Sequence, residues 1–102
     1  MFSIIIPTYN NLPYLKVCVD SIFNSKASKF EIICHVSEDL QKKTRQFLKK
    51  KNIKYTFSEK NLGLCTAINT ATKKANNKYI LYSHDDMYFC PNWDEILEKE
   101  IF

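Results

Sequence analysis

Apolar positions along the chain alternate between short continuous or period-two runs and stretches of period 3.6. Phe2 to Ile6, Phe30 to Val36, Ile53 to Phe57 and Tyr79 to Ser83 read as strands. Tyr14 to Asn24, Leu40 to Asn52, Leu64 to Ala75 and Asn92 to Phe102 read as helices. The expected inward stripes are Leu15, Cys18, Val19, Ile22 and Phe23 on the first helix, Leu40, Phe47 and Leu48 on the second, and Leu64, Ala67, Ile68 and Ala71 on the third. Regular alternation of strand and helix predicts an α/β fold, a three-layer, Rossmann-like arrangement with a mostly parallel sheet of about four strands and crossover helices. With no internal repeat, linker or low-complexity tract, residues 1–102 are expected to form a single domain.

Strands joined through helices run parallel, with right-handed crossovers, so their carboxyl ends share one edge of the sheet. That edge is expected to gather Pro7 to Asn11, Ser37 to Asp39, Ser58 to Gly63 and His84 to Asp86. Open α/β sheets place ligands there. The last strand reads as buried and runs straight into Asp85 and Asp86, with no basic residue between Lys78 and Lys99. Adjacent carboxylates repel, so a divalent cation is a natural partner; the plainer alternative is a solvated acidic loop leading into a helix at Asn92. Gly63 is the only glycine and precedes a helix, which suggests either a positive φ or close approach of a ligand to the main chain, against the alternative of a simple turn.

Composition adds three constraints. At 45% hydrophobic and 14% aromatic residues, the 102-residue chain can build one core. The run Ile4-Ile5-Ile6 is stopped by Pro7 and has no basic flank, so it reads as neither signal peptide nor membrane span, and a cytoplasmic location is expected. Cys18, Cys34, Cys65 and Cys90 are scattered without metal-ligand spacing and read as buried core thiols. Net charge is +4, but Lys42 to Lys60 holds eight basic residues against Glu59 alone, a local +7 that leaves −3 elsewhere. A solvated helix face explains this run most simply, and an anionic membrane surface is a second candidate partner; nucleic acid is disfavoured because aromatics are not interleaved with the basic residues.

The ordered set Ser3-Ile4-Ile5-Ile6-Pro7-Thr8-Tyr9-Asn10, Phe30-Glu31-Ile32-Ile33, Asn61-Leu62-Gly63 with Ala67 and Asn69, Tyr79-Ile80-Leu81 leading to His84-Asp85-Asp86, and Pro91-Asn92-Trp93 resembles the amino-terminal, nucleotide-sugar-binding half of family 2 glycosyltransferases with the GT-A fold. The resemblance runs nearly end to end. It implies that Pro7, Thr8, Tyr9 and Asn10 line a base and ribose pocket, that Ser37, Asn61, Gly63, Asn69 and Asp85 contribute to the nucleotide-sugar site, and that the acidic loop corresponds to the family's DXD motif. Asp86 would then hold Mn²⁺ or Mg²⁺ bridging the diphosphate, with His84 as a metal ligand, a phosphate contact or a packing group.

A UDP-sugar is the family's commonest donor, and the acceptor would be a glycan or other hydroxyl. Val36 and Ser37 stand where the family usually carries an Asp pair, with Glu38 and Asp39 displaced by one or two positions, which leaves the base open. The family's catalytic base and acceptor half lie beyond Phe102, so no catalytic residue is assigned within the chain. The expectation is a truncated or minimal glycosyltransferase; the alternative is a non-catalytic binding or assembly module that retains the fold.

Overall fold

The computed structural model describes residues 2–27 and 29–101. The elements follow the order β1 (Phe2–Tyr9), α1 (Leu12–Phe23), β2 (Phe30–Ser37), α2 (Lys43–Lys50), β3 (Lys54–Ser58), α3 (Leu64–Thr72), β4 (Tyr79–Tyr82) and α4 (Trp93–Ile101). All strand pairs are parallel, in the order β3-β2-β1-β4. β1 is central, with Ile4 in register with Ile32 on one side and Leu81 on the other.

Two packed faces flank this sheet, giving the expected three layers. Ile4, Ile6, Ile32, Cys34 and Val36 meet Leu15, Cys18, Val19 and Ile22 of α1, Leu48 of α2 and Trp93 of α4. On the other face Ile5 and Ile33 meet Ala71 of α3, with Ile68 and Ala75 alongside. The sheet progresses outward from β1 through β2 to β3, then α3 carries the chain back across to β4, which is why α3 lies alone on its face.

Several expectations are corrected. β4 is an edge strand whose Ile80 and Tyr82 are exposed, and it ends at Tyr82 instead of being buried through Ser83. Leu40 is 96% exposed and lies outside α2, because the Asp39 carboxylate accepts hydrogen bonds from the backbone amides of Thr44 and Arg45 and so starts the helix later. Leu64 and Phe23 are exposed despite their places on the apolar stripes. Cys65 and Cys90 are exposed too, whereas Cys18 and Cys34 are buried as expected. Burial pushes the Cys18 thiol up to about 11 and also raises that of Cys34, which keeps both protonated and unreactive. Asn92 has a positive φ and stands before α4; the expected terminus of that helix at Phe102 lies outside the described residues.

Two polar networks fix the helices and strands. The Ser25 hydroxyl donates to the Ile22 carbonyl at 2.6 Å and accepts from the Trp93 indole Nε1 at 3.0 Å, while the Asn92 amide donates to the Ser25 carbonyl at 2.8 Å. Trp93 thereby closes the core against Phe2, Phe30 and Phe89. In the second network His35, buried between β2 and β3, approaches Thr56 Oγ1 at 2.6 Å through Nδ1 and Ser58 Oγ at 3.1 Å through Nε2. Ser58 gives its one hydroxyl proton to the Lys60 carbonyl, so Nε2–H is the donor to Ser58. Burial lowers the ring's affinity for a second proton, and in the neutral imidazole this favours, Nδ1 accepts from the Thr56 hydroxyl.

Ser25→Ala leaves a buried indole N–H unpaired and is expected to cost about 1–3 kcal/mol in urea unfolding. Trp93→Phe removes the same bond from the other side, so the double variant should cost clearly less than the sum of the two singles. The unfolded state takes up a proton on His35 near its ordinary value of 6.5, while the folded state resists it. Stability should be complete above that value and fall as pH drops below it, toward the lowered folded value. Unfolding midpoints between about pH 8 and 5 should show this slope, and His35→Gln should flatten it.

Candidate functional site

The turn of direction between β1 and β4 opens a crevice at the carboxyl edge of the sheet. A cleft of about 270 Å³ occupies it, walled by Pro7, Thr8 and Tyr9 at the end of β1 and by Ser37 at the end of β2. The β3–α3 loop adds Asn61 and Gly63, and β4 with its following loop adds Tyr82, His84 and Asp85. Four segments far apart in sequence converge because parallel pairing puts all their ends on one side.

Asp85 is the only carboxylate among the residues lining this cleft. Its Oδ2 accepts from the Thr8 hydroxyl and its Oδ1 from the Asn11 amide, each at 2.9 Å. Asn11 occupies the N-cap position of α1 but makes no side-chain cap bond, and its Nδ2 amide donates to Asp85. The carboxylate thus lies close to the start of α1, where the helix dipole favours negative charge. Two neutral hydrogen-bond donors hold Asp85 in place, and no Lys or Arg lines the cleft beside it.

Gly63 has φ +94°, and a Cβ added there would meet nothing within 4 Å. The glycine is required by its backbone conformation, not by crowding. The loop is shaped by Asn61, whose Oδ1 accepts from the Gly63 amide at 3.0 Å and whose backbone N–H donates to Glu38 Oε2 at 3.3 Å. The Glu38 amide in turn donates to the Ser58 carbonyl at 2.9 Å, which connects the loop to the hydroxyl that His35 engages. Asp39 is committed elsewhere: besides capping α2 it pairs with Arg45 at 3.1 Å, so it does not stand in for the acid missing from the end of β2.

Of the residues singled out from the sequence, Pro7, Thr8, Tyr9, Ser37, Asn61, Gly63, His84 and Asp85 line the cleft; Asn10, Asn69 and Asp86 do not. Asp86 is exposed one residue past Asp85 and Asn69 is exposed on α3. His84 Nδ1 lies 3.1 Å from the Tyr82 hydroxyl, with the two rings edge to face. No group of three or more His, Cys, Asp or Glu among the described residues could cage a metal ion. Asn11, expected at this edge with Pro7 to Asn10, and Leu64, Ala67 and Tyr82 complete the lining without having been named as site residues. For Asn11 the signal was ambiguous: a polar residue before Leu12-Pro13 reads as a helix cap, and the cap position is indeed what it occupies. The basic α2 contributes no residue to the cleft, and no helix among the described residues is long and apolar enough to cross a membrane.

The model of "Glycosyl transferase family 2" matches residues 3–101. An uncharacterized glycosyltransferase of Rickettsia bellii is 34% identical over 91 residues, covering 85% of this chain and 13% of that protein. The uncharacterized glycosyltransferase EpsJ of Bacillus subtilis is 30% identical over 98 residues, covering 86% of this chain and 26% of that protein. Among solved structures, S. aureus TarS 1-349 in complex with UDP-GlcNAc superposes with a TM-score of 0.80 at 26% identity, over 98% of this chain and 30% of that one. The mannosyltransferase PcManGT of Pyrobaculum calidifontis, in complex with GDP-Man and Mn²⁺, shares the fold with a TM-score of 0.69 at 21% identity, over 86% of this chain and 28% of that one. The chain thus spans under a third of the length of each. With a family match over nearly all its residues, the chain belongs to glycosyl transferase family 2.

Proposed function

We propose that the cleft binds a nucleoside-diphosphate sugar, with a divalent ion, as the donor half of a glycosyl transfer to a hydroxyl acceptor. The observation that carries this reading is the convergence of Tyr9, Asn61, Gly63 and Asp85 in one cleft at the carboxyl edge, in a family 2 chain. Support comes from the neighbours, whose structures hold UDP-GlcNAc or GDP-Man with Mn²⁺.

In this reading the exposed face of Tyr9 stacks on the base, and the polar groups of Ser37 and the Asn61 loop supply edge hydrogen bonds. Thr8 and Asn11 hold Asp85 toward the sugar-phosphate end. Asp86 carries a hard oxygen ligand that is free of ion pairs among the described residues and reachable from solvent. One or two carboxylates with phosphate oxygens and water suit Mn²⁺ or Mg²⁺. Bound there, the ion would neutralise charge growing on the departing diphosphate.

Calorimetric titration with UDP, GDP and other nucleoside diphosphates, with and without Mn²⁺ or Mg²⁺, tests the reading. Binding should strengthen with metal; absence of binding by all of them at about 1 mM would remove it. Asp86→Asn should abolish the metal dependence, while Asp85→Asn should weaken nucleotide binding with the smaller effect on metal, because it breaks the bonds to Thr8 and Asn11. Mn²⁺-induced paramagnetic broadening in the two variants checks the difference. The 102 residues alone should show no acceptor-dependent turnover approaching about 1 per second, since general-base help and positioning each contribute orders of magnitude. Assays of nucleoside diphosphate release and glycoside product with candidate acceptors measure this.

A further inference from the structure

The part of the cleft wall formed by Ser37, Asn61 and Gly63 is tied to a buried imidazole that does not itself line the cleft. In the register of β2 with β3, His35 stands opposite Thr56 and Ser37 opposite Ser58. Nδ1 lies 2.6 Å from the hydroxyl of its own cross-strand partner, whereas Nε2 reaches diagonally, one step nearer the carboxyl edge, to Ser58 Oγ at 3.1 Å. The ring therefore joins the interior of the sheet to the residue that faces Ser37 across the strands.

Ser58 passes that contact on to the loop. Its hydroxyl donates to the Lys60 carbonyl at 2.7 Å, and the other end of the same peptide, the Asn61 N–H, donates to Glu38 Oε2 at 3.3 Å. A planar peptide gripped at both its oxygen and its nitrogen has its orientation fixed. Glu38, at φ +53°, is anchored in turn by its own N–H, which donates to the Ser58 carbonyl at 2.9 Å. Asn61 leaves this clamp with its Oδ1 accepting from the Gly63 N–H, and Gly63 is the cap from which α3 starts.

The tautomer of the ring decides where the Ser58 proton goes. With hydrogen on Nε2, Ser58 Oγ accepts from the ring and its one proton is left for Lys60. With hydrogen on Nδ1 instead, Nε2 becomes an acceptor that competes for that proton, and the Lys60 carbonyl loses its partner. We propose that His35, acting through Ser58, is a positioning residue for the nucleoside end of the donor cleft: its Nε2–H form holds the Lys60–Asn61 peptide in the orientation that presents the Asn61 to Gly63 loop to a base and ribose. The inference rests on the nucleoside-diphosphate-sugar reading of the cleft. Asp85 is held by separate bonds from Thr8 and Asn11, so the role of His35 is independent of the metal end.

Long-range ¹H–¹⁵N spectra of the wild-type imidazole at about pH 8 should show hydrogen on Nε2, a measurement that needs no substitution. Ser58→Ala should speed amide exchange at Asn61 and Gly63 by about tenfold or more, leave β1 unchanged, and weaken metal-free UDP or GDP binding by about tenfold. His35→Leu should match it, and the double variant should bind no more weakly than either single. His35→Gln, whose side-chain N–H can supply the donor to Ser58, should recover most of the affinity, and Mn²⁺ should strengthen binding by the same factor in every variant. Hydrogen on Nδ1 in the wild-type ring, additive losses in the double variant, or unchanged exchange or affinity in Ser58→Ala when the wild type binds overturns this inference alone. A wild-type chain that binds no nucleoside diphosphate overturns the donor reading, and with it the role in affinity, whatever the ring and the exchange rates show.

Discussion

Parallel pairing around β1 is the constraint from which the rest of the molecule follows. Ile4, Ile5 and Ile6 are fully buried, alternating between the two faces of a strand that is hydrogen-bonded on both sides. A strand in that position can tolerate no solvent on either face, so helices must cover both. The crossovers they make bring the carboxyl ends of all four strands to one edge, and the reversal of direction between β1 and β4 leaves a gap there. The cleft is a consequence of topology before any side chain is chosen.

Side chains then decide what the cleft offers. The Asp85 carboxylate is held by donors from β1 and from the start of α1, so the loop after β4 is tied to the first turn of the chain by hydrogen bonds spanning more than seventy residues. On the far side of the cleft His35, Ser58, Glu38 and Asn61 form a sequence of contacts that runs from the buried sheet to Gly63. A neutral imidazole in the interior thereby helps set the shape of an exposed loop. Such a network is sensitive to any member lost, because a partly satisfied buried polar group costs more than an apolar one.

The edge at β4 shows the same fold from another side. Four short strands and four helices cover β1, β2 and, by an arginine stacked on Phe57, β3. Among the described residues β4 pairs with β1 on one side, and its Ile80 and Tyr82 are exposed. Tyr82 and the loop it leads into also line the cleft, so this strand contributes to the candidate site.

The sequence by itself determined the alternation of elements, the parallel sheet, the inward stripes of α1 and β1, and the set of loops that meet at the carboxyl edge, because hydrophobic period and crossover handedness are local or nearly universal rules. Family membership was also legible, since it rests on ordered motifs from Ser3 to Trp93. Tertiary structure alone decided which polar residues are spent on architecture. Asp39 is consumed in starting α2, Asn11 at the start of α1 donates to Asp85, and His35, silent in the sequence, links two strands. It alone decided burial where period was a poor guide: Tyr79 to Tyr82 has the apolar run of an interior strand but no sheet neighbour beyond it, and Leu40 matches the stripe of a helix that begins three residues later. The physical reason is that period reports which face a residue occupies, whereas burial and pairing depend on what distant segments bring against that face.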